Sequence, residues 1–183
     1  MKKKIALLGD SIRLIGYGKK LPDMLGEEFE VFQPTDNCRF AKYTLRYTVE
    51  WKKHLEGCDL IHWNNGLWDA TTVLGDGCFT PVDQYVEDMC RLARRLLTLC
   101  PKVVFATTTP VRDEAQYDKN DIIDEFNAAL VPRLQEMGII INDLNSLLRD
   151  NTKEYICDDY LHLSDKGATI AALQVCRVIK ENI

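Results

Sequence analysis

Two short stretches of this sequence carry the residue types that acyl chemistry needs. Ser11 stands in Leu8-Gly9-Asp10-Ser11-Ile12, directly behind an apolar run. At a strand-to-helix turn a serine hydroxyl can attack a carbonyl carbon once a base takes its proton. The backbone amides of such a turn can hold the oxyanion that forms. The competing reading is a helix cap, a common role for serine at a helix start. Far along the chain, Asp158-Asp159-Tyr160-Leu161-His162 sets an acid three residues ahead of a histidine. That spacing lets the carboxylate bind one imidazole nitrogen and fix the tautomer, leaving the other nitrogen as the base. The chain has only three histidines. His54 and His62 lack a comparable acid, and His62 reads as a satisfied histidine in or beside a strand.

These residues need a frame to bring them together. Short runs rich in Ile, Val, Leu and aromatics occur at 4–8, 29–32, 60–63, 103–106 and 139–141, as expected of buried parallel strands. Helical periodicity fills the intervals. One helix is expected from Thr80-Pro81-Val82-Asp83, with Thr80 as cap and Pro81 at the first helical position. A second is expected over about 121–137, stopped by Gly138, and a last one from Ser164. Alternating strands and helices predict an α/β fold, a flavodoxin-like three-layer α/β/α sandwich on a five-stranded parallel sheet. No repeat or linker divides the chain, so residues 1–183 read as one domain. In such sheets ligands bind beyond the carboxyl ends of the strands. Chemistry is therefore expected in residues 9–11, 34–39, 64–69 and 107–110.

Composition narrows the function. A formal net charge of −5 argues against a nucleic-acid partner, which needs a clustered basic face. Lys2-Lys3-Lys4 reads as a solvated chain end, and the apolar run behind it is too short for a secretory signal. No run approaches a membrane span, so a cytoplasmic protein with no membrane partner is expected. Seven cysteines without a CxxC pair suggest neither disulfides nor zinc. Cys58, Cys90, Cys100 and Cys176 read as buried hydrophobes, whereas Cys38 sits in a polar loop and is not assigned a structural role. Gly16-Tyr17-Gly18 lacks the third glycine of a dinucleotide fingerprint, and no P-loop, EF-hand or metalloprotease motif occurs. No cofactor or metal is expected.

Taken together, the Gly-Asp-Ser after the first strand and the Asp-x-x-His-x-x-x-x-Gly before the last helix resemble the two defining ends of the SGNH/GDSL hydrolase family. The likeness in strand–helix order extends over essentially the whole chain. It implies a triad of Ser11 as nucleophile, His162 as base and Asp159 as orienting acid. The family's second block usually offers a glycine amide to the oxyanion. Here that loop reads Asp36-Asn37-Cys38-Arg39-Phe40, so the amide of Cys38 or Arg39 would serve. Arg39 could instead hold a substrate carboxylate. The third block, normally Gly-x-Asn-Asp, reads Gly66-Leu67-Trp68-Asp69, with tryptophan where the donor asparagine belongs. Asn64 or Asn65, just upstream, could replace that donor; capping a turn is the competing reading.

The resemblance implies a serine ester hydrolase acting on small carboxylic esters, with deacetylation of a carbohydrate as one candidate reaction. Trp68 and Tyr117 could wall such a pocket, and the loops at 67–80 and 111–120 could shape or cover it. Trp63 is more simply a core residue. The Trp68 substitution also motivates an alternative: a non-catalytic carbohydrate- or ligand-binding protein on the same fold with an impaired oxyanion hole.

Overall fold

The apolar runs pair as parallel strands in the computed structural model, which describes residues 2–183. They are β1 (Lys3–Gly9), β2 (Phe29–Phe32), β3 (Leu60–Asn64), β4 (Val103–Ala106) and β5 (Ile140–Asn142), in the order β2-β1-β3-β4-β5. All four pairings are parallel, so this is the expected five-stranded sheet. Each strand lies within a residue or two of its expected span. The register pairs Leu8 with Trp63 and Gly9 with Asn64, which ends β1 and β3 side by side.

Strand alternation divides the core in two. Ala6 and Leu8 of β1 face one layer, with Trp63 and Phe105. That layer holds α2 (Ala41–Tyr47), α3 (Lys52–Leu55), the long α5 (Val82–Leu97) and α6 (Asn120–Glu136); α1 (Leu21–Leu25) precedes them, and the short α4 (Leu67–Ala70) lies between α3 and α5 in the chain. Ile5 and Leu7 face the other layer, with Leu21 and Leu25 of α1. Leu144 and Leu148 of α7 (Leu144–Arg149) and the alanine-rich face of α9 (Asp165–Glu181) complete it; the short α8 (Thr152–Tyr155) precedes α9. Ala168, Ala171 and Ala172 let α9 lie close to the sheet.

Helix starts follow the sequence in one case and depart from it in another. Ser164 caps α9 as expected, its hydroxyl accepting the Gly167 N–H at 3.1 Å. By contrast, α5 begins at Val82, with Pro81 extended (ψ 142°) in the cap position rather than the first helical one. Thr80 does not cap it. Its hydroxyl donates instead to Asp69 Oδ1 at 2.8 Å, because the buried carboxylate needs donors more than the solvated helix end does. Among the described residues no helix is long and apolar enough to cross a membrane.

Candidate active site

The end of β1 is built around a buried carboxylate rather than around Ser11. Asp10 Oδ1 accepts the Ile12 N–H at 2.9 Å and Asn64 Nδ2 at 2.7 Å, while Asn64 Oδ1 accepts the Tyr17 hydroxyl at 2.7 Å. Burial raises the Asp10 carboxyl to about 6 against these bonds and the nearby Arg13 and His162 charges. The chain needs glycine at position 9 for this arrangement, since a Cβ there would lie 2.1 Å from Asn64 Oδ1. Ser11 opens a turn of π-helix, Ile12–Gly16, and makes no capping bond, so the cap reading does not hold. Asp10 takes that duty and leaves the hydroxyl uncommitted.

Sequence reasoning passed over Arg13, which is 1% exposed. Its guanidinium donates to Pro34 O at 2.8 Å, Asp36 O at 2.9 Å and Gly9 O at 3.1 Å. It therefore ties the turn after β1 to the loop after β2. Only its position two residues after the serine hinted at this, and position alone cannot reveal burial.

The loop after β2 corrects the reading of Cys38. The side chain is fully buried, its sulfur accepts the Gly9 N–H at 3.2 Å, and burial pushes the thiol up to about 11. Its own amide donates to Gly9 O at 3.1 Å. Arg39 adopts a left-handed backbone (φ 47°), and its amide donates to Asn37 Oδ1 at 2.8 Å. The Arg39 guanidinium lies over the Tyr43 ring, 4.9 Å from its centroid. Cys58, Cys90, Cys100 and Cys176 are buried as expected.

Each upstream asparagine gives an amide N–H to an acceptor inside the fold. Asn64 Nδ2 is held by Asp10 as above, and Asn65 Nδ2 donates to Arg39 O at 2.6 Å. Asn65 Oδ1 accepts the Thr44 hydroxyl, and its carbonyl accepts Tyr85 and Thr108. These two residues lock β3 to the neighbouring loops. Asp69 does likewise, accepting the Ala41 N–H at 3.0 Å as well as Thr80. Trp68 is instead 41% exposed.

The second sequence motif forms a pair. His162 Nδ1 lies 2.7 Å from Asp159 Oδ2, and Asp159 Oδ1 accepts the N–H groups of Leu161 and His162 at 3.0 and 2.9 Å. Burial works against the Asp159 charge, but these bonds outweigh it and hold the carboxyl below its ordinary value. Ionised Asp159 accepts a hydrogen bond from His162 Nδ1–H, which leaves the imidazole Nε2 as an acceptor. The loop is fastened by Arg112, whose guanidinium binds Asp158 Oδ1 at 3.0 Å and stacks on Tyr160, itself left-handed at φ 68°. Leu161 lines one cavity with Ser11, and Leu163 packs against Gly16. The base-bearing loop thus sits against the serine turn. His62 lies in β3, fully buried with one ring nitrogen 3.1 Å from Asn142 Nδ2, while its Nδ1 has no partner.

The cavity beside Ser11 measures about 250 Å³. Leu67 and Trp68 come from α4, Thr71 and Val73 from the loop behind it, and Tyr117 and Asp118 from the loop after β4. The two loops are zipped where Thr72 donates its N–H and hydroxyl to Tyr117 O at 2.9 and 2.8 Å. Trp63 is buried in the core against Phe105. Among the described residues, no group of three or more His, Cys, Asp or Glu is placed to hold a metal.

A 2-1-3-4-5 parallel sheet, with a serine turn after β1 and an Asp–His pair ahead of the last helix, is the arrangement that the resemblance to SGNH/GDSL hydrolases implies. No protein-family model matches the chain. It is 31% identical over 123 residues to the GDSL esterase/lipase CPRD49 of Arabidopsis thaliana, covering 58% of this chain and 48% of that protein. The chain thus spans about half the length of the curated relatives it matches. In fold it is similar to a lipase/acylhydrolase from Enterococcus faecalis, with a TM-score of 0.79 at 21% identity over 98% of this chain and 96% of the other. It is equally similar to Est24, a carbohydrate acetylesterase from Sinorhizobium meliloti, at a TM-score of 0.79 and 13% identity over 100% of both chains. At such identities the structural likenesses carry the fold alone. In sequence over part of its length, and in fold over nearly all of it, the chain is similar to GDSL esterases and acylhydrolases.

Proposed function

We propose that the chain is a serine hydrolase of small carboxylic esters, with acetylated carbohydrates as the favoured substrates. The observation that carries this reading is the Asp159–His162 pair, 2.7 Å apart and seated against the turn that holds Ser11. Ser11 Oγ attacks the carbonyl carbon while His162 Nε2 takes its proton. The tetrahedral oxyanion collapses as His162 protonates the departing alcohol. Water, deprotonated by the same nitrogen, then releases the acid and restores Ser11. The oxyanion is served by backbone: the Ser11 amide, and the Arg39 amide once the half-buried Asn37 side chain swings away from it. The sugar preference draws on the exposed faces of Trp68 and Tyr117 and on the likeness to a carbohydrate acetylesterase.

A second reading is favoured by one specific observation. With Trp68 in the donor position, and Asn64 and Asn65 each giving an amide N–H to another acceptor, the oxyanion has no dedicated side-chain donor. Losing such a donor costs about 2.7–4 kcal/mol of transition-state stabilisation. A binding protein for acylated sugars on the same fold would tolerate that loss. Hydrolysis of p-nitrophenyl acetate, compared between the native chain and a folded Ser11→Ala variant, separates the two. Turnover abolished by the substitution supports the esterase. Equal rates, or none in either protein, remove Ser11 as nucleophile and favour the binding reading.

A further inference from the structure

Among the described residues, Asp118 is the one carboxylate that lines the cavity next to Ser11, and the mechanism above gives it no task. It faces mostly apolar walls, and among the described residues no salt bridge neutralises it. The adjacent Lys119 is turned away, its ammonium donating to Ala115 O. Thr71 supplies a hydroxyl from the facing loop. Burial raises the Asp118 carboxyl above its ordinary value despite Thr71 and Lys119, as expected of an acceptor short of donors. The rings of Trp68 and Tyr117 are 41% and 42% exposed in the same cavity wall. An acid with one hydroxyl partner and no counter-charge, in one cavity wall with two partly exposed aromatic rings, suits a molecule with an apolar ring face and hydroxyl donors on its edge.

We infer that Asp118 is a specificity-determining residue, accepting hydrogen bonds from hydroxyl groups that flank the ester in the substrate. This rests on the esterase reading and adds to it the group that chooses between esters. A plain aryl ester has no donor to offer and leaves the acid with Thr71 alone; a monoacetylated glycoside supplies further donors. Hydrogen bonds to a charged acceptor correspond to roughly a 10- to 100-fold preference each.

The test is the ratio of kcat/KM for a methyl xyloside carrying one acetyl ester to that for p-nitrophenyl acetate. It is measured in the native chain, Asp118→Asn and Asp118→Leu. Asparagine keeps the shape and one acceptor oxygen, so it guards against a mere folding defect. The expected result is a ratio lowered about 10-fold or more by leucine and by a smaller factor by asparagine. A ratio unchanged in both variants overturns the inference, as does a native chain that cleaves only the aryl ester. These outcomes stay distinct from failure of the esterase reading, whose signature is the absence of Ser11-dependent turnover of p-nitrophenyl acetate.

Discussion

Arg13 shows how much one side chain can hold in place. A guanidinium that satisfies three backbone carbonyls while buried cannot be shortened without leaving those oxygens bare. Arg13→Met is expected to lower unfolding stability by about 3 kcal/mol in urea titrations, or more if the loop after β2 cannot collapse onto the gap. Lysine should not restore the loss, because a single ammonium cannot span three acceptors set in a fork. A variant as stable as the parent would show that water replaces the guanidinium. At this scale the sequence was only partly legible. The Asp-x-x-His spacing correctly anticipated the 2.7 Å pair. The commitments of Asn64, Asn65, Cys38 and Arg13 were invisible, because each depends on partners that only the strand register brings near. A loop cysteine among polar neighbours looks exposed until Gly9 is seen to donate to it.

Among the elements, the passage from β3 into α4 is the tightest. Gly66 has φ 155°, and a Cβ there would lie 1.9 Å from Thr108 Oγ1. Since that hydroxyl is itself bonded to Asn65 O, neither side can yield. Gly66→Ala should therefore destabilise the fold by about 3 kcal/mol or more, with Thr108→Ala recovering part of the loss. Thermal unfolding of the single and double variants would show it; additive losses would mean that the contact is not the cause. The strands themselves were easy to read from sequence, since short Val, Ile and Leu runs between helical patterns leave few alternatives. The start of α5 was misread because Thr80 had a better partner across the fold than its own helix. Local pattern proposes a cap, and a buried acid can overrule it.

For the whole molecule, the buried titratable groups set how stability follows pH. Asp10 and Asp69 both rest at about 6 because of burial, against 3.8 when free. Between those values the unfolded chain has released protons that the folded chain keeps. The stabilisation from each acid is therefore complete below about pH 4 and lost as pH rises through 6. His62 acts in the opposite sense. Burial lowers it to about 3, so stability is lost as pH falls below about 6.5 and the unfolded chain takes up a proton. Comparing Asp10→Asn with the native chain removes one acid and leaves the other two groups in place. The variant should gain relative to the native chain as pH rises from about 4 to 7, read from urea midpoints. A constant difference would mean that Asp10 is ionised throughout. Because β1 lies inside the sheet, β3, β4 and β5 add outward in the order the ribosome makes them, and α9 closes last over α1. On the esterase reading, a nascent polypeptide displays its nucleophile long before it owns a base. On the same reading, a fragment stalled anywhere short of residue 162 is chemically unarmed, and turnover waits for the loop that leads into the last helix.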